Sequence, residues 1–341
     1  MLFSMLRSVS ICLFLIISFQ PSALEIDPSY VKGQIQALAI DSIILDIATN
    51  GDTVLAVGER GHVFIFDEQA SPQWQQVSSP TRAHLTKAFL ITPQLGWAVG
   101  HDATIIHTRD GGETWQLQME SKEIEKPLLD IHFFDELNGI AVGAYGLFYR
   151  TSDGGESWKS EYHQELLFEE DVDYLAELKA EDEALYLSER STLLPHFNRV
   201  ISTIDGQLVM VGELGLVAVS NDQGRNWQKL DFIYEGSMFN AVYVKDTLFV
   251  MGLRGHVFKT DASMTNWIEI SLPVTSTING VMVKKDGKLR LVGNAGVVID
   301  VTLAGKSQLI EQRQGENLVS IAQDPQGHTW IAGTKGLFKQ Q

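Results

Sequence analysis

The sequence predicts an all-β fold: a seven-bladed β-propeller with a short acidic helical insertion between blades three and four. Three observations carry that prediction. The stretch Gly96–Trp115, GWAVGHDATIIHTRDGGETW, returns 43 residues later at Gly139–Trp158 as GIAVGAYGLFYRTSDGGESW, and again at Leu208–Trp227 as LVMVGELGLVAVSNDQGRNW. A glycine ending the second strand of each unit recurs at Gly58, Gly100, Gly143, Gly212, Gly252, Gly293 and Gly333, with gaps of 42, 43, 69, 40, 41 and 40 residues. Six of these seven have a second glycine three residues on, at Gly61, Gly146, Gly215, Gly255, Gly296 and Gly336, and Ala103 is the exception. Seven copies at a period of ~40 residues, each with about four short strands, describe a closed radial array.

The chain opens with what reads as an export leader. Arg7 supplies a positive start, and Ile11–Phe19 is an apolar run too short to span a bilayer comfortably. Pro21-Ser22-Ala23 offers a cleavage point. The expectation is a signal peptide over 1–23 and one propeller over 24–341, exported to the periplasm or a topologically equivalent lumen; an uncleaved anchor is the alternative. The single cysteine, Cys12, lies in the leader, so packing alone must hold the rest. Unit seven has no room for its outermost strand before Gln341, and Ile26–Ile40 is expected to supply it, pairing the first and last segments.

Within a unit, Trp97–Gly100 and Ile105–Thr108 read as a hairpin whose turn contains the glycine. A second turn follows with the spacing Thr-x-Asp-x-Gly-x-x-Trp, known as an Asp box: Thr108, Asp110, Gly112 and Trp115. An Asp there accepts hydrogen bonds from backbone N–H groups across the turn, a structural role. The pairs Asp110 and Trp115, Asp153 and Trp158, and Asp222 and Trp227 keep this pattern in units two, three and four. Ala262 replaces the Asp in unit five, unit one keeps only Trp74, and units six and seven lack the box.

The 69-residue gap requires an insertion of roughly 27 residues beyond the period, placed at Glu161–Leu194. It is strongly acidic, from Glu165 to Glu189, and Leu167, Leu175, Leu178 and Leu185 lie near helical spacing. One or two amphipathic helices follow, either a decoration packed on the ring or a partner-binding lid.

In a propeller the turns from second to third strand and the blade-to-blade links open on one face, with the Asp boxes on the other. Loops on a rigid scaffold are where function concentrates. The candidate partner-binding residues at these tips are Glu59, Arg60, His101, Asp102, Tyr145, Glu213, Arg254, Asn294 and Lys335. Their mixture of charge, aromatic and amide suits a protein surface better than one small anion.

Several chemistries find no support. A net charge of −17 argues against binding the phosphate backbone of nucleic acids. The nine histidines include no HExxH or paired spacing, so no metal or cofactor is expected. His101-Asp102 is the sole adjacent His–acid pair at a tip and reads as a polar loop. No phosphate-cradling glycine loop leads into a helix. Glycoside hydrolysis of the sialidase kind uses an arginine cluster, but only Arg60 and Arg254 stand at tips. No catalytic residue is assigned.

The units at Gly96–Trp115 and Gly139–Trp158 resemble the repeats of the photosystem II stability/assembly factor family, within the wider BNR or sialidase-like propeller group. The likeness covers roughly residues 30–341 and is sharpest in units two and three. It implies an exported seven-bladed propeller without catalysis. The implied partner is a membrane protein or its assembly intermediate: a photosystem subunit in a phototroph, or a resistance–nodulation–division type transporter otherwise. The few tip arginines and the acidic insertion favour a member outside the phototrophs. The rival readings are a glycan or small-molecule module at the central channel and, behind it, a hydrolase.

Overall fold

The second strands of units two, three and four are apolar along their whole length, as in Trp97-Ala98-Val99, Ile140-Ala141-Val142 and Leu208–Val211. A strand with one wet face alternates apolar and polar residues, whereas a continuous apolar run needs cover on both faces. The computed structural model describes residues 32–71 and 73–340 and supplies that cover by standing seven antiparallel sheets side by side in a ring. Six sheets have four strands and the last has three, each in simple sequential order. The second strands Gly96–Gly100, Gly139–Gly143 and Leu208–Gly212 are buried throughout.

The innermost strands are Ile44–Asn50, Leu85–Leu90, Leu128–Phe133, Phe197–Ser202, Met238–Val244, Ile278–Val283 and Leu318–Gln323. Each slips register by one residue near its start against the second strand. Such a bulge turns a local stretch of strand and re-aims its side chains.

The apolar core is divided rather than central. Seven clusters form among the described residues, one in every seam between neighbouring blades. The seam that closes the ring joins Trp74 and Phe66 of blade one to Trp330 of blade seven, with ring centroids 5.3–5.6 Å apart and edge-to-face. Such pairs add ~0.5–1.5 kcal/mol each beyond the area they bury.

The recurring glycine has one physical cause. In all seven blades the residue after it donates its backbone N–H to the carbonyl just ahead of the innermost strand, at 2.9–3.1 Å: Glu59 to Ile43, His101 to His84, and so on to Thr334 and Asn317. A Cβ on Gly100 would collide with that His84 carbonyl, and the other six meet the same obstacle. The glycine three residues later has positive φ and lies under the incoming link of the next blade: Gly61 under Thr81, Gly215 under Tyr234, Gly296 under Arg313.

The N-terminal segment corrects one expectation. Residues 32–40 add no strand to blade seven, whose sheet is Leu318–Gln323, Thr329–Gly333 and Gly336–Lys339. Instead Ile40, in the 3-10 turn Ala39–Asp41, lies over Gly336 as the incoming links lie over their glycines. The chain entering blade one is therefore the seventh link, and among the described residues sheet pairing does not close the ring. Gly33 makes an isolated bridge to Ser79 of blade one. The expected signal peptide over 1–23, and residues 26–31 of the proposed strand, lie outside the described residues.

The insertion forms two helices, α1 (Glu169–Glu181) and α2 (Glu183–Leu193). Leu166, Leu167, Leu175 and Leu194 join the apolar cluster between blades three and four. Leu185 is exposed, because Asp182 breaks the helix: its carboxylate accepts the Leu185 N–H at 3.0 Å and caps α2, so the leucine spacing does not run through.

Two stability outcomes follow. Ala103 is buried at φ +48, where the other blades have glycine. Ala103→Gly is expected to stabilise the protein by about 0.5–1 kcal/mol, seen as a higher denaturation midpoint. Trp330→Ala is expected to cost about 3–5 kcal/mol and to expose the last seam to proteolysis first.

Candidate functional site

Six of the seven tip turns place a non-glycine apex in the left-handed region, Arg60, Asp102, Tyr145, Leu214, Arg254 and Ala295, at φ between 53° and 57°, and blade two adds the buried Ala103 at +48. That conformation costs an L-residue ~1–2 kcal/mol. Five of the six side chains are exposed, and Asp102 is half-buried. Six strained apices thus point out of one face.

The structure brings only some of the predicted residues together. The Tyr145 ring stands edge-on to His196, centroids 4.5 Å apart, and His196 Nδ1 lies 3.3 Å from Glu213. Lys126 Nζ sits 5.3 Å from the centre of the Tyr145 ring and donates to the Ser191 carbonyl of α2 at 2.6 Å. Leu194 covers Gly146, so the insertion rests on the tip of blade three, on the face expected for it. His101 lies beside His84, centroids 5.4 Å apart, and burial first, then His84, lowers its pKa. Asn294 turns inward, accepting from Asn279 Nδ2 at 2.9 Å. Glu59, Arg60, Arg254 and Lys335 form no ion pair among the described residues, and the two arginines stand on blades one and five.

The Asp boxes occupy the opposite face. Asp153 accepts from the Ser157 N–H at 2.9 Å and its hydroxyl at 2.6 Å, and Thr151 donates at 2.8 Å. Asp222 likewise accepts from the Asn226 N–H and side chain, at 3.0 and 2.7 Å, and from Ser220. Thr114 and Thr108 serve Asp110 in the same way. Trp115 Nε1 donates to the Gly112 carbonyl at 2.9 Å, and Trp115 and Trp227 are buried while Trp158 is half-buried. The Ser157 hydroxyl foremost holds the Asp153 carboxyl at about 2. At Asp222 burial works upward, but the hydrogen bonds from Asn226 prevail and also leave it at about 2.

Sequence reasoning missed a polar belt in the central channel, a cavity of about 390 Å³. Near the bulge of each innermost strand stands a side chain that stitches one seam. Asp46 accepts from Lys87 Nζ at 2.9 Å, the Ala88 N–H at 3.1 Å and the Ser320 hydroxyl at 2.9 Å, joining blades seven, one and two. Thr86 donates to the Leu128 carbonyl, and Asp130 accepts from the Val200 N–H at 2.7 Å and Arg199 at 3.2 Å. Asn198, Asn240 and Asn279 donate across the next three seams to the carbonyls of Met238, Asn279 and Leu318. Burial, then Arg199, lowers the Lys87 pKa, against the pull of Asp46. The channel charges face one another, Lys87 against Asp46 and Arg199 against Asp130. The signal was available: Asp46, Lys87, Asp130 and Arg199 each stand twelve or thirteen residues ahead of their ruler glycine.

Comparisons with known proteins agree with this geometry. The family model for the photosynthesis system II assembly factor YCF48 matches residues 66–123, the end of the third strand of blade one through blade two. The photosystem II assembly protein Ycf48 of a Synechococcus strain is 38% identical over 91 residues, 26% of this chain and 27% of that one. Its counterpart from Thermosynechococcus vestitus is 24% identical over 273 residues, 78% of this chain and 71% of that one. This chain resembles the photosystem II assembly factors. Solved structures of YCF48 bound to a D1 peptide and of YCF48 from Cyanidioschyzon merolae both superpose with a TM-score of 0.64, at 18% and 14% identity. They cover 92% and 90% of this chain and 97% of each neighbour, and share its seven-bladed propeller fold. The chain spans about a quarter of the first relative's length and 71% of the second's.

The assembly-factor-like propeller should show the turn chemistry in its acid response. The folded pKa of Asp153 and Asp222 is depressed, so their contribution is present above the unfolded value of about 4 and fades as pH falls toward about 2. Asp153→Ala is expected to melt below wild type at pH 7, with the gap narrowing between pH 4 and 2 in thermal scans.

Proposed function

We propose that this chain is a non-enzymatic, exported scaffold of the assembly-factor kind, whose tip face binds an extracytoplasmic part of a membrane protein or its assembly intermediate. The observation that carries this reading is the tip face itself: six exposed or half-exposed apices in costly backbone conformations, continuous with an insertion anchored in the ring. Strain of that kind persists where the surrounding structure enforces it, and it gathers at functional surfaces. The likeness to Ycf48 proteins supports the class of function, and the YCF48 structure with a D1 peptide bound supports a polypeptide segment as the ligand.

The non-catalytic part of the reading is supported by the likeness to Ycf48 proteins and by the acids of the Asp boxes and the channel, Asp110, Asp153, Asp222, Asp46 and Asp130, which are engaged in turns and seams. Export to the periplasm, or an equivalent lumen, rests on the leader over 1–23. In a phototroph the partner is a photosystem subunit; elsewhere it is a transporter of the resistance–nodulation–division type.

Affinity capture from crosslinked membranes tests the proposal. Wild type is expected to bring down a membrane protein. An Arg60→Glu/Arg254→Glu variant, with unchanged melting, is expected to recover at least roughly tenfold less, the equivalent of about 1.4 kcal/mol over the two sites. Equal recovery by both proteins counts against the tip face.

A further inference from the structure

We propose that the groove between the start of α1 and the tip of blade four binds a partner segment in which one bulky apolar side chain is flanked by lysine or arginine. The proposal deepens the tip-face reading and rests on it.

The groove has a volume of about 210 Å³ and is walled by Leu166, Phe168, Pro195, Leu214, Leu216 and Phe232. Three segments meet there: the lead into α1, the chain entering blade four, and the tip and outgoing link of blade four. The floor is core, since Leu166 and Leu216 belong to the cluster between blades three and four. The rim is apolar and uncovered: Leu214 is 57% exposed, Phe168 38%, and Ile233 on the same link 62%. A volume below the ~300–1,000 Å³ of small-molecule pockets accommodates one large side chain and leaves the rest of a ligand on the rim.

Leu214 is the most informative residue. It is a leucine at φ +53, with its side chain in water. Both features cost free energy, and the isolated protein recovers neither. An occupant that covers Leu214 recovers the free energy of burying a leucine side chain.

Charge selects the occupant. Glu169 and Glu170 follow Phe168 directly, Asp231 lines the groove, and the Glu235 backbone passes against Gly215 beside Leu214. None of these four acids pairs with a lysine or arginine among the described residues. The cation in the wall, Lys229, donates to the Leu167 carbonyl at 2.6 Å and stands 5.5 Å from the centre of the Phe168 ring. An acidic rim round an apolar hole attracts a basic segment and repels acidic peptides and anionic lipid headgroups. Three lining residues are already fixed in the packed core, since Leu166, Leu216 and Val217 are buried. Little ordering is then needed on binding.

The test uses the purified protein and two fluorescein-labelled peptides, Gly-Ser-Lys-Lys-Phe-Leu-Lys-Lys-Gly-Ser and the same peptide with glutamate for each lysine, read by anisotropy. The lysine peptide is expected to bind at least roughly tenfold more tightly than the glutamate peptide, and to weaken with salt. Leu214→Ser, and separately the Glu169→Lys/Glu170→Lys pair, are each expected to weaken it roughly tenfold at unchanged melting, while Leu137→Ser on the opposite face leaves it unchanged. Equal affinity for the two peptides, indifference to both groove variants, or binding to phosphatidylglycerol vesicles in place of the lysine peptide overturns the proposal. Membrane capture by wild type without peptide binding removes the groove and leaves the tip-face reading standing. Failure of wild type to capture any membrane protein removes the tip-face reading itself.

Discussion

One backbone contact, made seven times, organises this protein. The N–H after each second-strand glycine reaches the carbonyl that precedes the innermost strand, and only a residue without a Cβ lets the chains approach that closely. The contact fixes where the second strand ends and where the innermost strand begins. It also sets the height of the tip turn above the ring, so the tips of all seven blades share one face. In six of the seven blades this short turn also passes through the left-handed region before the next residue slides under the following link.

Closing the ring is a separate problem. Many arrays could repeat such a unit without meeting their own start. Here no strand is shared between the first and last blades among the described residues, and the join depends on side chains. Inside the channel, Ser320 donates to Asp46 at 2.9 Å and accepts the Ile47 N–H at 3.2 Å. Further out, Trp330 packs on Trp74 and Phe66. With no disulfide available, these contacts, Ile40 over Gly336 and the apolar cluster of the same seam carry the closure among the described residues. Asp46 serves two seams at once, which is why a nearly buried carboxylate is tolerated: it is paired with Lys87 and saturated by donors.

Much of the fold was legible because its cause is local. Glycines at a fixed spacing, apolar second strands and Asp-turn residues each act within a few residues of themselves. The channel belt was less visible, because Asp46 and Lys87 look like ordinary strand polars until the bulge turns them toward the neighbouring blade. The N-terminal segment misled for a related reason: an apolar stretch before blade one suits an edge strand or a link equally well, and only Ile40 meeting Gly336 distinguishes them. The tip residues named from sequence share a face but not a site. Tyr145 and Glu213 are tied through His196, whereas Arg60 and Arg254 stay apart, because which blades the insertion covers is a tertiary fact.

The acids of the insertion are not explained by stability. Glu169, Asp173, Glu177 and Glu181 repeat at every fourth position along α1, all exposed, and like charges at that spacing disfavour a helix by a few tenths of a kcal/mol per pair. Only the first of them gains from the helix dipole. The two cations on the helices, Lys179 and Arg190, lie over the Tyr186 ring rather than pairing with the acids. Leu175 and Leu194 hold the hairpin in place despite this repulsion. A row of uncompensated acids on a rigid base, next to exposed apolar side chains, is the charge arrangement that the proposed basic, apolar partner segment would complement. The backbone strain at Leu214 points the same way, and both converge on the junction of blades three and four.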